Sequence, residues 1–171
     1  MMPRGDQLLL PARPLFIVFS LMLALAFNLL PLGRSPAVPD MLALTLAFWA
    51  VHQPRRVGVG ISFFFGLAMD VHQGSLLGQH GLAYTLLAFT AVALHRRLLW
   101  FPVLEQTLQV LPLFIAAHLV SLVVRMLAGD LFPGWSYFIA PTVEAALWPV
   151  VSFALLAPQR RAPDPDQNRP L

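Results

Sequence analysis

Cysteine is absent from the 171 residues, and so is lysine. The first absence excludes disulfides and thiolate metal sites. The second leaves eleven arginines to carry all the positive charge, against eight carboxylates, for a net charge of +3. Charge of either sign is scarce: 11% of the residues, where an ordinary soluble domain has roughly 25%. Hydrophobic residues make up 58%, and the mean hydropathy is +0.72. A soluble fold of this length could not cover its surface with so few charges, so the composition predicts an integral membrane protein. The arginines are scattered in short loops, where membrane topology explains them better than nucleic-acid binding does.

Several chemical signatures are also missing. There is no His-x-x-x-His or His-Glu-x-x-His pattern, and His72 and His80 are separated by a predicted turn, so no metal is expected. No phosphate-binding loop is present. Gly60-Ile61-Ser62 lacks the second glycine of a nucleophile motif, because Phe64 stands there. Asp70 is the lone aspartate in or bordering a helical core, so a paired-aspartate protease is excluded as well. No catalytic residue and no cofactor are expected.

What is present is a series of apolar runs. They predict an all-α, six-helix transmembrane bundle forming one domain over residues 1–157. The helices are expected at about 14–32, 39–52, 57–71, 75–94, 98–127 and 137–157, followed by a disordered cytoplasmic tail at 158–171. The first run has Ala24 and Ala26 in a cleavage-like pattern but reads as a retained helix, because further apolar runs follow. The second run is about 14 residues, or ~21 Å at 1.5 Å per residue, short of a ~30 Å hydrocarbon core. It meets the third run at Pro54-Arg55-Arg56, a tight hairpin. With both termini cytoplasmic, Arg4, Arg13, Arg55, Arg56, Arg96, Arg97, Arg160, Arg161 and Arg169 lie inside, and Arg34 and Arg125 outside. Trp49, Trp100, Trp135, Tyr137 and Trp148 fall near helix ends, as in an interfacial aromatic belt.

The stretch Pro54–Tyr84 is the most patterned. Ser62, Gly66, Asp70, Gly74 and Gly78 recur every four residues, which places small side chains on one helix face suited to close approach. Asp70 reads as a bond acceptor for backbone N–H groups opening the fourth helix, with an ion or proton site as the sharper alternative. His118 and Glu144 fall at similar depth on adjacent antiparallel helices and are expected to pair, with Arg125 a second candidate for Glu144. Glu105, Gln106 and Gln109 are placed to reach the interface or line a partner surface.

These residues resemble the MreD family of bacterial rod-shape-determining inner-membrane proteins. The likeness is carried by Pro39-Asp40, Phe48-Trp49, Pro54-x-Arg56-Val57, Gly66-x-x-x-Asp70, Gly74-x-x-Leu77-Gly78, Leu82-Ala83 and Leu147-Trp148-Pro149. Glu144 is not part of the family pattern. The resemblance implies a non-enzymatic subunit of the cell-elongation complex. It would bind a bitopic MreC-type partner and act with an MreB-type actin homologue, a RodA-type glycosyltransferase and its transpeptidase. It further implies a fold like the substrate-binding component of energy-coupling-factor transporters, and a seat in the bacterial inner membrane. The structural and partner-binding residues expected on these grounds are Pro39, Asp40, Trp49, Pro54, Arg55, Arg56, Ser62, Gly66, Asp70, Gly74, Gly78, His118, Glu144 and Trp148. The rival reading is a transporter subunit binding a small, vitamin-like solute, with an outward cavity near Asp70, His72 and His80.

Overall fold

The structure, a computed structural model, describes residues 12–31 and 38–159. The expectations for Arg4, Arg34, Arg160, Arg161 and Arg169, and for the tail from residue 160 onward, lie outside these residues. The described chain is all helical, with six α-helices: α1 (Pro14–Leu29), α2 (Met41–His52), α3 (Val59–Gln73), α4 (Gln79–Leu98), α5 (Val103–Leu127) and α6 (Ile139–Leu156). A 3-10 turn at Trp135–Phe138 leads into α6, and another at Ala157–Gln159 follows it. Pro158 and Gln159 therefore continue the last helix; the Gln159 amide donates to the Leu155 carbonyl.

Local chemistry sets the boundaries. α1 begins at Pro14, whose missing N–H costs nothing in a first turn. Pro39 stands two residues before α2, and Asp40 between them is the cap, accepting from the Ala43 N–H at 2.9 Å. α3 ends at Gly74 in the left-handed region (φ 60°), and α4 opens after Gly78 at φ 101°. α4 runs through His95-Arg96-Arg97 to Leu98, since cations favour the last turn of a helix. The fourth and fifth helices are separated at Pro102, which precedes α5. Pro112 lies inside α5 and removes one hydrogen bond without ending the helix.

α2 is the axis of the bundle. Every residue from Leu42 to Val51 is buried, and a helix apolar all round is an enclosed one. α1, α4 and α6 pack around it; α3 lies on α4, and α5 joins α4 to α6. Outward-facing side chains are large and apolar, among them Leu15, Phe64, Phe89 and Leu108. Two segments are long and apolar enough to cross a membrane, Val103–Leu127 and Trp135–Gln159, while α1 and α2 are apolar but shorter.

Candidate functional site

Polar side chains gather at the end of the bundle opposite Arg55 and Arg56. α1, α3 and α5 finish there, and α2, α4 and α6 start there. Three fully or partly buried carboxylates form this cluster: Asp40, Asp70 and Glu144.

Asp70 is fully buried in the last turn of α3. Its Oδ1 accepts from the Ser75 hydroxyl (2.9 Å), the His80 N–H (2.8 Å) and His80 Nδ1 (2.8 Å). Its Oδ2 accepts from the Gly78 N–H (2.8 Å) and the Gly81 N–H (3.3 Å). The first N–H groups of a helix have no partner within it, and a carboxylate among them meets their partial positive charge. One side chain of α3 thus ties down the start of α4. His72 is exposed and takes no part.

Asp40 is the second hub. Oδ1 accepts from Asn28 of α1 (2.6 Å) as well as from Ala43, and Oδ2 accepts from the Tyr84 hydroxyl of α4. Asn28 Oδ1 in turn accepts the Met41 N–H at 3.1 Å. The backbone N–H of Asp40 donates to Glu144 Oε1 of α6 at 3.0 Å. This residue therefore joins four helices. Asn28 and Tyr84 were not singled out in the sequence; the signal available for Asn28 was a lone amide at the end of an apolar run.

Glu144 and His118 meet, with His118 Nε2 3.5 Å from Oε1. His118 Nδ1 lies 3.0 Å from the Phe114 carbonyl. A carbonyl cannot donate, so Nδ1 carries a hydrogen and a neutral ring would turn a bare Nε2 lone pair toward Glu144. Glu144 Oε2 is buried without a partner. It borders a chamber of ≈ 40 Å³ lined also by Asp40, His80, Tyr84, Ser121 and Tyr137. Such a volume holds a few water molecules, at roughly 10–15 Å³ each by this measure. Arg125 is no partner of Glu144; it pairs with Asp130 at 3.2 Å at the surface.

This geometry predicts that Glu144→Gln folds with little loss. Its carbonyl, in the place of Oε1, accepts from Asp40, and its amide, in the place of the unpartnered Oε2, faces the chamber and its water. Glu144→Leu leaves the Asp40 N–H and His118 Nε2 without their partner, at about 2–4 kcal/mol. Thermal unfolding of the two purified variants in detergent separates these outcomes.

Other expected residues are placed differently from the sequence reading. Ser62 is fully buried and Gly66 is buried; a methyl group on Gly66 would stand 2.5 Å from Gly81 Cα. These two positions form the contact of α3 with α4 and present no surface to another protein. Gly74 is exposed at the turn, and Gly78 is half-buried there. Trp49 and Trp148 are wholly buried and are not belt residues: Trp49 donates to Ser20 (2.8 Å) and Trp148 to Gln106 (3.0 Å). Gln106 is thereby an internal residue. Trp100 and Trp135, 89% and 82% exposed, do lie on the surface. At the opposite end Pro54 sits in the α2–α3 turn, and Arg55 and Arg56 are exposed. Arg56 donates to the Ala12 carbonyl at 2.8 Å. Among the described residues no three His, Asp or Glu side chains are grouped to hold a metal ion.

Comparison with known proteins agrees with the resemblance seen in the residues. The family model for the rod shape-determining protein MreD matches residues 8–158. A curated relative, the rod shape-determining protein MreD of Haemophilus influenzae, is 34% identical over 135 residues, covering 77% of this chain and 80% of the relative. No solved structure matches. The match spans both the Asp40–Glu144 network and the α3–α4 hairpin, and the chain belongs to the MreD family of rod shape-determining proteins.

Proposed function

We propose that the chain is a non-enzymatic scaffold of the cell-elongation complex, a single six-helix domain spanning the bacterial inner membrane with both termini in the cytoplasm. In this reading Arg55 and Arg56 mark the cytoplasmic face and the Asp40–Asp70–Glu144 cluster lies in the outer half. The same reading gives the bundle the plan of the substrate-binding component of energy-coupling-factor transporters. Its partner is the single helix of an MreC-type protein, and through it the MreB-type filament, the RodA-type glycosyltransferase and the transpeptidase.

The observation that carries the reading is where the buried polar groups are used. Asp40 and Asp70 are fully engaged with groups of the chain itself. The chamber they leave, ≈ 40 Å³, is far below the ~300 Å³ at which small-molecule sites begin. That favours a scaffold over the solute-binding subunit. Because Ser62 and Gly66 are internal, the partner helix is assigned to the exposed α3–α4 turn, where Val71, Leu76 and Leu77 stand clear of the bundle.

Two experiments test this. A photo-crosslinking residue at Leu77 is expected to capture the MreC-type protein in cells. Depletion of the chain is expected to round the cells. A stoichiometric small solute in the purified protein, with cell shape unchanged on depletion, overturns the proposal. The cysteine-free chain also permits single-cysteine labelling: Arg55→Cys is expected to react only from the cytoplasm and Leu131→Cys only from outside.

A further inference from the structure

α1 leans on α2 and makes little contact with α3, and the cleft left between them encloses ≈ 600 Å³. Its walls are Ile17, Val18 and Leu21 on one side and Ile61 and Phe64 on the other; the lone polar side chain lining it is Arg56. Arg56 spends one N–H on the Ala12 carbonyl, and a guanidinium has five to give. That bond brings it beside Arg13, which precedes α1, while Arg55 adjoins it in the chain. Both neighbours are exposed, and among the described residues no carboxylate pairs with any of the three. An apolar cleft therefore opens at a mouth of three arginines that no carboxylate among the described residues pairs with.

We propose that this cleft binds one anionic glycerophospholipid, with an acyl chain between α1 and α3 and the phosphate at Arg13, Arg55 and Arg56. Guanidinium groups match phosphate oxygens in geometry as well as charge. Basic pockets between helices on the cytoplasmic side recognise acidic headgroups in this way. The length of the cleft selects the occupant. Its α1 wall runs from Pro14 to Leu21, about 11 Å of helix, so it covers less than one leaflet of a ~30 Å core. A single-leaflet lipid fits that depth, and the arginines at its mouth complement an anionic headgroup. The site rests on the membrane reading above and lies at the end of the molecule away from the proposed partner contact.

The test is native mass spectrometry of the full chain extracted by mild detergent from vesicles of phosphatidylglycerol and phosphatidylcholine in equal amounts. The protein is expected to retain one phosphatidylglycerol in preference to phosphatidylcholine. Arg13→Gln with Arg55→Gln, which leaves the Arg56–Ala12 bond intact, is expected to cut that preference by about ten- to thirty-fold. Val18→Trp fills the cleft from an exposed position and is expected to remove the retained lipid whatever its headgroup. Retention of no phosphatidylglycerol, or equal retention by both variants, overturns the proposal. So does capture of a protein helix in place of lipid by a photo-crosslinker at Val18. Release of the chain from membranes by alkaline carbonate would sink the membrane reading itself; a firmly integrated chain that retains no lipid sinks this inference alone.

Discussion

Asp70→Ala is expected to be among the most damaging single changes in the protein. The carboxylate is fully buried and accepts from Ser75, Gly78, Gly81 and, twice, His80. Removing it strands three backbone N–H groups of the α3–α4 turn and an imidazole. Buried donors left unpaired cost about 1–3 kcal/mol each, so several together, with some rehydrated, cost about 3–5 kcal/mol. In a chain of this size that corresponds to a fall of about 6–20 °C in unfolding temperature. Asp70→Asn is expected to fall between alanine and the parent. Its carbonyl can keep the Oδ1 partners, but its amide nitrogen would face the N–H groups of Gly78 and Gly81, donor against donor. Unfolding of the three proteins in one detergent checks the order. An alanine variant as stable as asparagine would show that water replaces the carboxylate and that the turn does not depend on it.

The second large effect is expected at Gly66. A Cβ there would lie 2.5 Å from Gly81 Cα, 2.6 Å from its nitrogen and 2.6 Å from the His80 carbonyl oxygen. These are backbone atoms and cannot swing aside. Gly66→Ala must push α4 away from α3, at about 3 kcal/mol, the upper end for overpacking. The displacement also pulls His80 and Gly81 off Asp70, so the two changes are coupled and their effects will not add. The reverse substitution is the control. A Cβ on Gly81 meets only the Phe63 and Leu67 side chains, at 3.3 Å or more. Gly81→Ala is therefore expected to cost under about 1 kcal/mol, within what side-chain readjustment allows. Equal stability of the two alanine variants would contradict the close backbone approach.

The contrast between these sites shows which features could be read in the residues alone. Asp70, Gly74 and Gly78 lie within a few turns of one another, so capping rules and left-handed glycines suffice to connect them. His118 and Glu144 could be matched because depth along two adjacent antiparallel helices is simple arithmetic. The Asp40 network could not. Its partners are 12, 44 and 104 residues away, and nothing local to Asp40 beyond its cap with Ala43 marks it as a hub. The small-residue stripe disclosed a contact face and not the identity of the opposing helix, which is α4. Trp49 and Trp148 were assigned to an interface from their position in the chain, yet burial depends on rotation about the helix axis, and their indole N–H groups found Ser20 and Gln106 inside. The break between α4 and α5 fell at Pro102 because arginines, although they mark topology, are good helix formers.

The spacing of those bonds along the chain has a consequence for synthesis. Every donor to Asp70 lies within eleven residues of it, so the α3–α4 pair can neutralise its own aspartate as soon as it emerges. Glu144 is different: the N–H it needs belongs to Asp40, made 104 residues earlier. The Asp40 N–H meets this acceptor only when the final helix has threaded back against the second. The nascent protein therefore carries one unanswered N–H, that of Asp40, until its last helix arrives, and closing that long bond is the step that distinguishes a finished molecule from an unfinished one. Lengthening the α5–α6 connection should delay that closure while leaving the hairpin's assembly untouched, a difference that protease protection of ribosome-released chains would resolve in time.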